Sequence, residues 1–315
     1  MRRRGFIPSR VGNAGGGLNR ILNSHMIRTL ATVFAAVLGL AFGSFLNVCL
    51  SRWPAGESIV HPRSHCRNCE HTLTWWENVP LVSWLILHGR CRNCRAAISW
   101  RYPLVELAVG ALWALQGWGF FEVKSQPDVP AIDVALAHTL GMMVFYWMLV
   151  ALAALDAENL WLPDFITIPG ITLGFILTAI LAPVDDSWWL DRGTWESAAV
   201  VDLIHILIAA SLILLIRWLY KLLRHREGLG LGDAKLMALL AAWLGLAGAL
   251  LSFALAAILG AAIALILLAK PSAHTNPQSW ATSKLPLGTF LCIGGIVSSL
   301  WGQPIIAAYL RWAGF

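Results

Sequence analysis

Charge is scarce in this chain. Charged residues make up 13% of the 315 residues and hydrophobic ones 58%, with a mean hydropathy of +0.67. That profile excludes an ordinary soluble domain. No internal repeat is evident, so a solenoid or array is set aside. Low complexity is confined to the glycine-rich start around Gly15-Gly16-Gly17. A signal peptide is missing as well: Arg2, Arg3, Arg4 and Arg10 lie far from the first apolar run, and no short h-region intervenes.

What remains is long apolar runs and seventeen tryptophans, the composition of a membrane protein whose aromatics sit at headgroup level. The net charge of +6 and pI near 9.2 are explained by basic loops facing anionic lipid, not by nucleic acid. Reading at span length places about eight transmembrane helices, near 29–50, 103–121, 131–155, 164–182, 199–223, 234–250, 252–269 and 286–310. The sixth and seventh are nearly fused, with only Leu250-Leu251-Ser252 suggesting a turn. The expected fold class is an all-α polytopic membrane protein with a small cytoplasmic zinc-binding loop between helices 1 and 2.

The loops set the orientation. Residues 51–101 carry Arg52, Arg63, Arg67, Arg90, Arg92, Arg95 and Arg101, and 217–235 carry Arg217, Lys221, Arg224, Arg226 and Lys235. The 183–198 loop holds Asp185, Asp186, Asp191 and Glu196. The basic side is therefore cytoplasmic, and eight spans put both termini outside. The arginines of residues 1–28 run against that rule; Met26 is an alternative start that removes all but Arg28, and otherwise the segment reads as a flexible arm. The expected divisions are an extension over 1–28, a first span over 29–50, a loop domain over 51–102 and a helical domain over 103–315.

Cys66-Arg67-Asn68-Cys69 and Cys91-Arg92-Asn93-Cys94 form paired C-x2-C motifs. Two such knuckles aim four thiolates at one point and predict a tetrahedral zinc site. Its metal supplies the folding energy that so small a loop lacks. Disulfides or free thiols are the competing reading, and a cytoplasmic loop disfavours disulfides. His61 and His65 are nearby alternative ligands. Zinc held by four thiolates has no open position, so the site is structural. Cys49 and Cys292 lie in apolar helices and read as small hydrophobes.

Two acids stand at the ends of apolar helices, where lipid makes them costly. Asp156 closes the third helix, an end at which the macrodipole disfavours a carboxylate by ~0.3–1 kcal/mol. Asp233 follows Gly228-Leu229-Gly230-Leu231-Gly232. As a first-turn aspartate it reads equally as a cap. Topology places both at the cytoplasmic face. Two carboxylates that meet there and share a proton can activate water against a peptide bond. Lys235 either tunes that pair or snorkels to the interface. Asp164 reads as a helix cap, Glu106 as a local partner of Arg101, and Asp133 and Asp202 as solvated acids near outer helix ends. His138 and His205 read as core histidines. The glycine run follows a basic helix end and not a strand, so a dinucleotide site is excluded.

Together these segments resemble the type IV prepilin peptidases, bifunctional leader peptidases and N-methyltransferases. The resemblance runs from about residue 36 through Gly43-Ser44-Phe45-Leu46-Asn47-Val48, the paired cysteines, Glu77-Asn78-Val79-Pro80-Leu81-Val82-Ser83-Trp84 and Ile98-Ser99-Trp100-Arg101-Tyr102-Pro103-Leu104-Val105-Glu106. It continues through Asp156 with Leu162-Pro163-Asp164, Gly230-Leu231-Gly232-Asp233-Ala234-Lys235 and Pro286-Leu287-Gly288-Thr289-Phe290-Leu291. It implies Asp156 and Asp233 as the catalytic pair and a prepilin or pseudopilin as substrate. The leader would be cut on the cytoplasmic face of the bacterial inner membrane. It also implies methylation of the new N-terminal residue with S-adenosylmethionine as donor. The loop domain and Gly89 are associated with that second activity. The arginine-rich extension and Trp100 depart from the family pattern. The alternative function is a transporter or an assembly scaffold with a regulatory zinc loop.

Overall fold

The computed structural model describes residues 14–123, 132–181, 195–225, 230–269 and 285–314. Parts of the expected outer loops and of the N-terminal extension lie outside that set. The described chain is all-helical apart from two isolated β-bridges. Helix α1 spans Ala14–Arg52 and ends in a 3-10 turn, Trp53–Ala55. A second 3-10 turn, Trp75–Asn78, and short α2, Val82–Ile86, lie in the cysteine loop. Then follow α3 (Arg101–Val123), α4 (Ile132–Asn159), α5 (Asp164–Leu181), α6 (Trp195–Arg224), α7 (Leu231–Leu268) and α8 (Leu287–Ala313).

Six of these helices are long and apolar enough to cross a membrane. The expectation of about eight differs from that number at two places. Helix α3 carries Arg101 and Glu106 and falls outside the six. The expected sixth and seventh helices form one element, α7, interrupted by the non-helical Gly245 (φ 67°, ψ 179°) rather than at Leu250–Ser252. The break is a reversal of direction. Before it (α7a, 231–244), Leu240 meets Gly295, and Asp233 lies near Cys292. After it (α7b, 246–268), Gly248 meets Ser298, Ser252 meets Gly294 and Gly260 faces Phe290. Residue order along α8 thus rises with α7a and falls with α7b. The positive φ at Gly245 is the left-handed conformation that glycine adopts without steric penalty.

Helix α1 begins at Ala14, well before the expected residue 29, and Gly15–Gly17 lie within it rather than in a flexible arm. It packs antiparallel on α3 through glycines. A Cβ at Gly39 would stand 2.9 Å from the Gly110 Cα, and one at Gly43 would stand 2.7 Å from the Glu106 Cα. Small residues at these crossings let two backbones approach closely, the main source of helix association where lipid removes the hydrophobic drive. Trp113 Nε1 donates to the Met143 carbonyl at 2.8 Å and joins α3 to α4. Trp243 Nε1 donates to the Gly170 carbonyl at 2.9 Å and joins α7a to α5. Both indoles satisfy their one polar atom inside the bundle.

Candidate active site

The C-terminus of α4 and the N-termini of α7 and α8 converge at one end of the bundle, carrying Asp156, Asp233 and Thr289. Asp156 is 6% exposed and Asp233 8%. The two carboxylates lie close enough to interact electrostatically. One side chain packs beside both: Cβ atoms at Gly288 and Gly232 would meet the Leu162 Cδ1 at 3.0 and 3.1 Å. Leu162 arrives there because α4 ends in a backward turn, with Leu160 N donating to the Asp156 carbonyl at 2.9 Å.

The position of Asp156 at a helix C-terminus, unfavourable on local grounds, has a tertiary explanation. Its carboxylate rests on the N-terminus of α8. Oδ2 accepts the Thr289 N–H at 2.7 Å and lies 3.2 Å from the Thr289 hydroxyl, which also donates to the Ala153 carbonyl at 3.0 Å. The orphan amides and positive dipole end of α8 replace what α4 cannot offer. Gly288 is required to be small, since a Cβ there would stand 2.9 Å from the Asp156 Cγ. Asp233 serves its own helix as well: Oδ2 accepts the Gly230 N–H at 3.0 Å, the reach-back of a residue in the first turn. Capping and proximity to Asp156 therefore coexist in one residue.

The other acids sort differently from the sequence expectation. Lys235 pairs with Asp164 at 2.6 Å, both partly exposed, and so joins α7 to α5 rather than facing the acids. Glu106 does not pair with Arg101. Its Oε2 accepts the Leu81 N–H at 2.7 Å from inside the protein, while Arg101 reaches Glu158 at 2.6 Å. Asp202, expected to be solvated, is 2% exposed and lies 3.9 Å from His205. Asp133 is exposed, as expected. Cys49 and Cys292 are fully buried in the core. Thr289 and Gly288 stood in the proline-glycine run of the sequence, but nothing in its spacing joined them to Asp156.

The four loop cysteines come together. Their sulfurs all lie within 4.8 Å of one another, with Cys66–Cys94 at 3.8 Å and Cys69–Cys91 at 3.9 Å. Four sulfurs around one tetrahedral ion at a Zn–S bond of about 2.3 Å would be about 3.8 Å apart, so the cluster can hold a single metal ion. His61 and His65 are outside it, and the His65 ring contacts the Arg63 carbonyl.

The two knuckles repeat each other. Cys66 N donates to the His71 carbonyl and Glu70 N to that of Cys66; Cys91 N and Arg95 N repeat this with Ala96 and Cys91. Glu70 and Arg95 both have positive φ. Each knuckle's asparagine points across to the other: Asn68 Nδ2 to the Cys94 sulfur at 3.5 Å, Asn93 Nδ2 to the Cys69 sulfur at 3.6 Å. The Ala96 N–H, helped by Asn68, pulls the Cys94 thiol down to about 6, which favours the thiolate a metal needs. Gly89 lies just before the second knuckle with φ +65°, and a Cβ there would stand 2.8 Å from the Trp84 ring.

Fold and site together define a class: a polytopic helical membrane protein with a four-cysteine loop and a buried pair of acids at one end of its bundle. Residues 37–120 match the bacterial peptidase A24 N-terminal domain, and residues 143–265 match the type IV leader peptidase family. The chain is 33% identical over 305 residues to a prepilin leader peptidase/N-methyltransferase of Stutzerimonas stutzeri, a match covering 89% of this chain and 93% of that one. Similar proteins of the same description occur in Pseudomonas aeruginosa (33% over 313 residues, 91% and 96%) and Burkholderia pseudomallei strain 1026b (36% over 301 residues, 86% and 85%). No solved structure matches the chain. The chain belongs to the type IV leader peptidase family.

Proposed function

We propose that this protein is a prepilin leader peptidase and N-methyltransferase whose peptidase centre is the pair Asp156 and Asp233. The observation that carries the reading is two buried carboxylates, from α4 and α7, at the same end of the bundle beside a hydrogen-bond clamp from α8. Asp156 is oriented by Thr289 and Gly288, and Asp233 by the Gly230 amide. With one carboxyl ionised and the other protonated, the first takes a proton from water as its oxygen attacks the scissile carbonyl. The second donates a proton to the developing oxyanion. Collapse of the tetrahedral species returns a proton to the leaving amine.

The substrate is a prepilin or pseudopilin, an apolar helix behind a short charged leader. Its scissile bond lies at the interface, where these helix ends also lie. Eight crossings, counting α3 and both arms of α7, put the acids and the basic cysteine loop on the cytoplasmic side of a bacterial inner membrane. Domain divisions near 1–28, 29–50, 51–102 and 103–315 belong to this proposal, although α1 runs from Ala14 to Arg52 across the first of them. The metal is zinc, held by Cys66, Cys69, Cys91 and Cys94 in a closed structural site. The second activity takes S-adenosylmethionine, which when bound supplies an electrophilic methyl group. Gly89 supports that half through the loop's shape.

The test is cleavage of a prepilin by purified wild type, Asp156→Asn and Asp233→Asn, with products weighed by mass spectrometry. Loss of more than about a hundredfold in each variant is expected for a general acid–base pair. Near-full cleavage by either, with normal membrane insertion, removes that residue from the assignment.

A further inference from the structure

Two segments of the sequence stand apart from the paired acids and are not explained by them: Ser44 to Val48 on α1, and Thr74 to Pro80 in the loop. Ser44, Phe45 and Val48 from the first and Thr74, Trp75, Asn78 and Pro80 from the second line one cavity of about 460 Å³, between α1 and the cysteine loop. We propose that this cavity is the binding site of the methyl donor, S-adenosylmethionine. The proposal rests on the methyltransferase half of the reading above.

The donor makes four demands: an aromatic or apolar face for adenine, hydroxyl or amide partners for ribose, a cation for its carboxylate, and an acceptor for its positive end. The volume lies within the usual range of small-molecule sites, roughly 300–1,000 Å³. Phe45 and Trp75 line the cavity and are 45% and 80% exposed, leaving ring surface to cover. Ser44, Thr74 and Asn78 supply hydroxyl and amide groups, and Arg63 supplies the cation. Arg52 also borders the space, but its guanidinium is spent on the Ser58 and Pro62 carbonyls at 2.7 and 2.6 Å. It builds the wall.

Glu77 provides the second, independent observation. It lies on the turn between two lining residues, Trp75 and Asn78, and is 6% exposed. Its Oε2 accepts the Thr74 N–H and hydroxyl at 2.8 and 2.6 Å. Its Oε1 is buried and finds no hydrogen-bond partner among the described residues. A buried acceptor left unpaired is costly. The His71 ring nitrogen lies 3.4 Å from Oε2; a cationic ligand in the adjoining cavity would add a second positive group near this carboxylate, and the donor carries both an ammonium and a sulfonium. The cavity beside Gly89 lacks this feature: its Trp84 and Trp100 rings pack against each other, tilted by 52° with centroids 4.2 Å apart. Gly89 is accordingly a positioning residue for Trp84.

The test uses the full-length protein in detergent and S-adenosylhomocysteine as the probe, with affinity read by calorimetry. Arg63→Ala and Asn78→Ala are expected to weaken binding about tenfold each, the loss of one hydrogen bond to a charged or polar ligand group. Melting temperature and metal content should stay at wild-type values. Wild-type affinity in both variants overturns the site. Ultraviolet crosslinking of S-adenosylmethionine to wild type gives a second measurement that needs no variant. Label within 41–63 or 73–80 supports the site, and label confined to 84–100 overturns it. Methyl mass on a cleaved prepilin separates the two levels: wild type that methylates but carries its label elsewhere refutes the site alone. Wild type that neither methylates nor binds the probe refutes the methyltransferase reading, and the site with it.

Discussion

Thr289 holds Asp156 through its backbone N–H at 2.7 Å, and its hydroxyl shares one proton between the Ala153 carbonyl at 3.0 Å and the Asp156 carboxylate at 3.2 Å. The bond joins the last helix of the chain to the end of α4. It sets an acid from one helix on the amide-rich end of another, so the carboxylate is pointed rather than merely buried. Geometry of that kind is what a catalytic group needs before substrate arrives.

Thr289→Val keeps the shape and the backbone donor but removes the hydroxyl. Cleavage should fall about tenfold, with the fold intact, as for one hydrogen bond to a charged acceptor. Gly288→Ala should cost more, because its Cβ would meet the Asp156 Cγ at 2.9 Å and the Leu162 Cδ1 at 3.0 Å. A displacement of the order of 1 Å at a reacting group can cost about a hundredfold. Steady-state cleavage rates order the two; Gly288→Ala matching wild type would show that the clamp tolerates movement.

Cys66→Ser should lower bound metal in the purified protein, measured by elemental analysis, before it lowers cleavage. Three thiolates remain, and a closed structural site needs four. Unchanged zinc content would refute the ligand assignment.

Gly89→Ser places a Cβ 2.8 Å from the Trp84 ring at a backbone φ of +65°. The left-handed conformation alone costs a non-glycine residue roughly 1–2 kcal/mol. Trp84 should shift, visible in tryptophan fluorescence, and methylation should fall further than cleavage. Equal loss of both activities would place Gly89 in general stability instead.

The carboxyl of Glu77 is held below the usual carboxylate range, first by the Thr74 hydroxyl and then by the Thr74 N–H. A group depressed in the folded state contributes stability that is present above its ordinary value of 4.5 and lost as pH falls through the folded value. Amide protection in residues 66–100, corrected for the intrinsic exchange rate at each pH, should therefore fall as pH drops below 4.5, and Glu77→Gln should flatten that fall. Because acid also protonates the metal-binding thiolates, the quantity to read is the difference between the two proteins. Identical slopes would exclude the Glu77 contribution.

The positions of Asp156 and Asp233 at helix ends were legible because hydropathy marks where apolar runs stop. The cysteine cluster was legible because each knuckle is a local structure. Partners across the fold were not. Glu106 stands near Arg101 in sequence, yet it bonds the Leu81 amide while Arg101 reaches Glu158. The reversal in α7 was misplaced for a related reason. Ser252 looks like a turn residue, but its hydroxyl is satisfied inside the helix by the Gly248 carbonyl at 2.7 Å. What the reversal needs is a left-handed residue, and Gly245 supplies it among several glycines that read alike in sequence.

Because the clamp on Asp156 comes from α8, which follows both acids in sequence, the arrangement around Asp156 is complete only once residues 286–289 are in place. A nascent chain that stops short of residue 286 holds both acids but not the amides that orient one of them. Such a shortened chain would carry the two acids without the contact that aims Asp156.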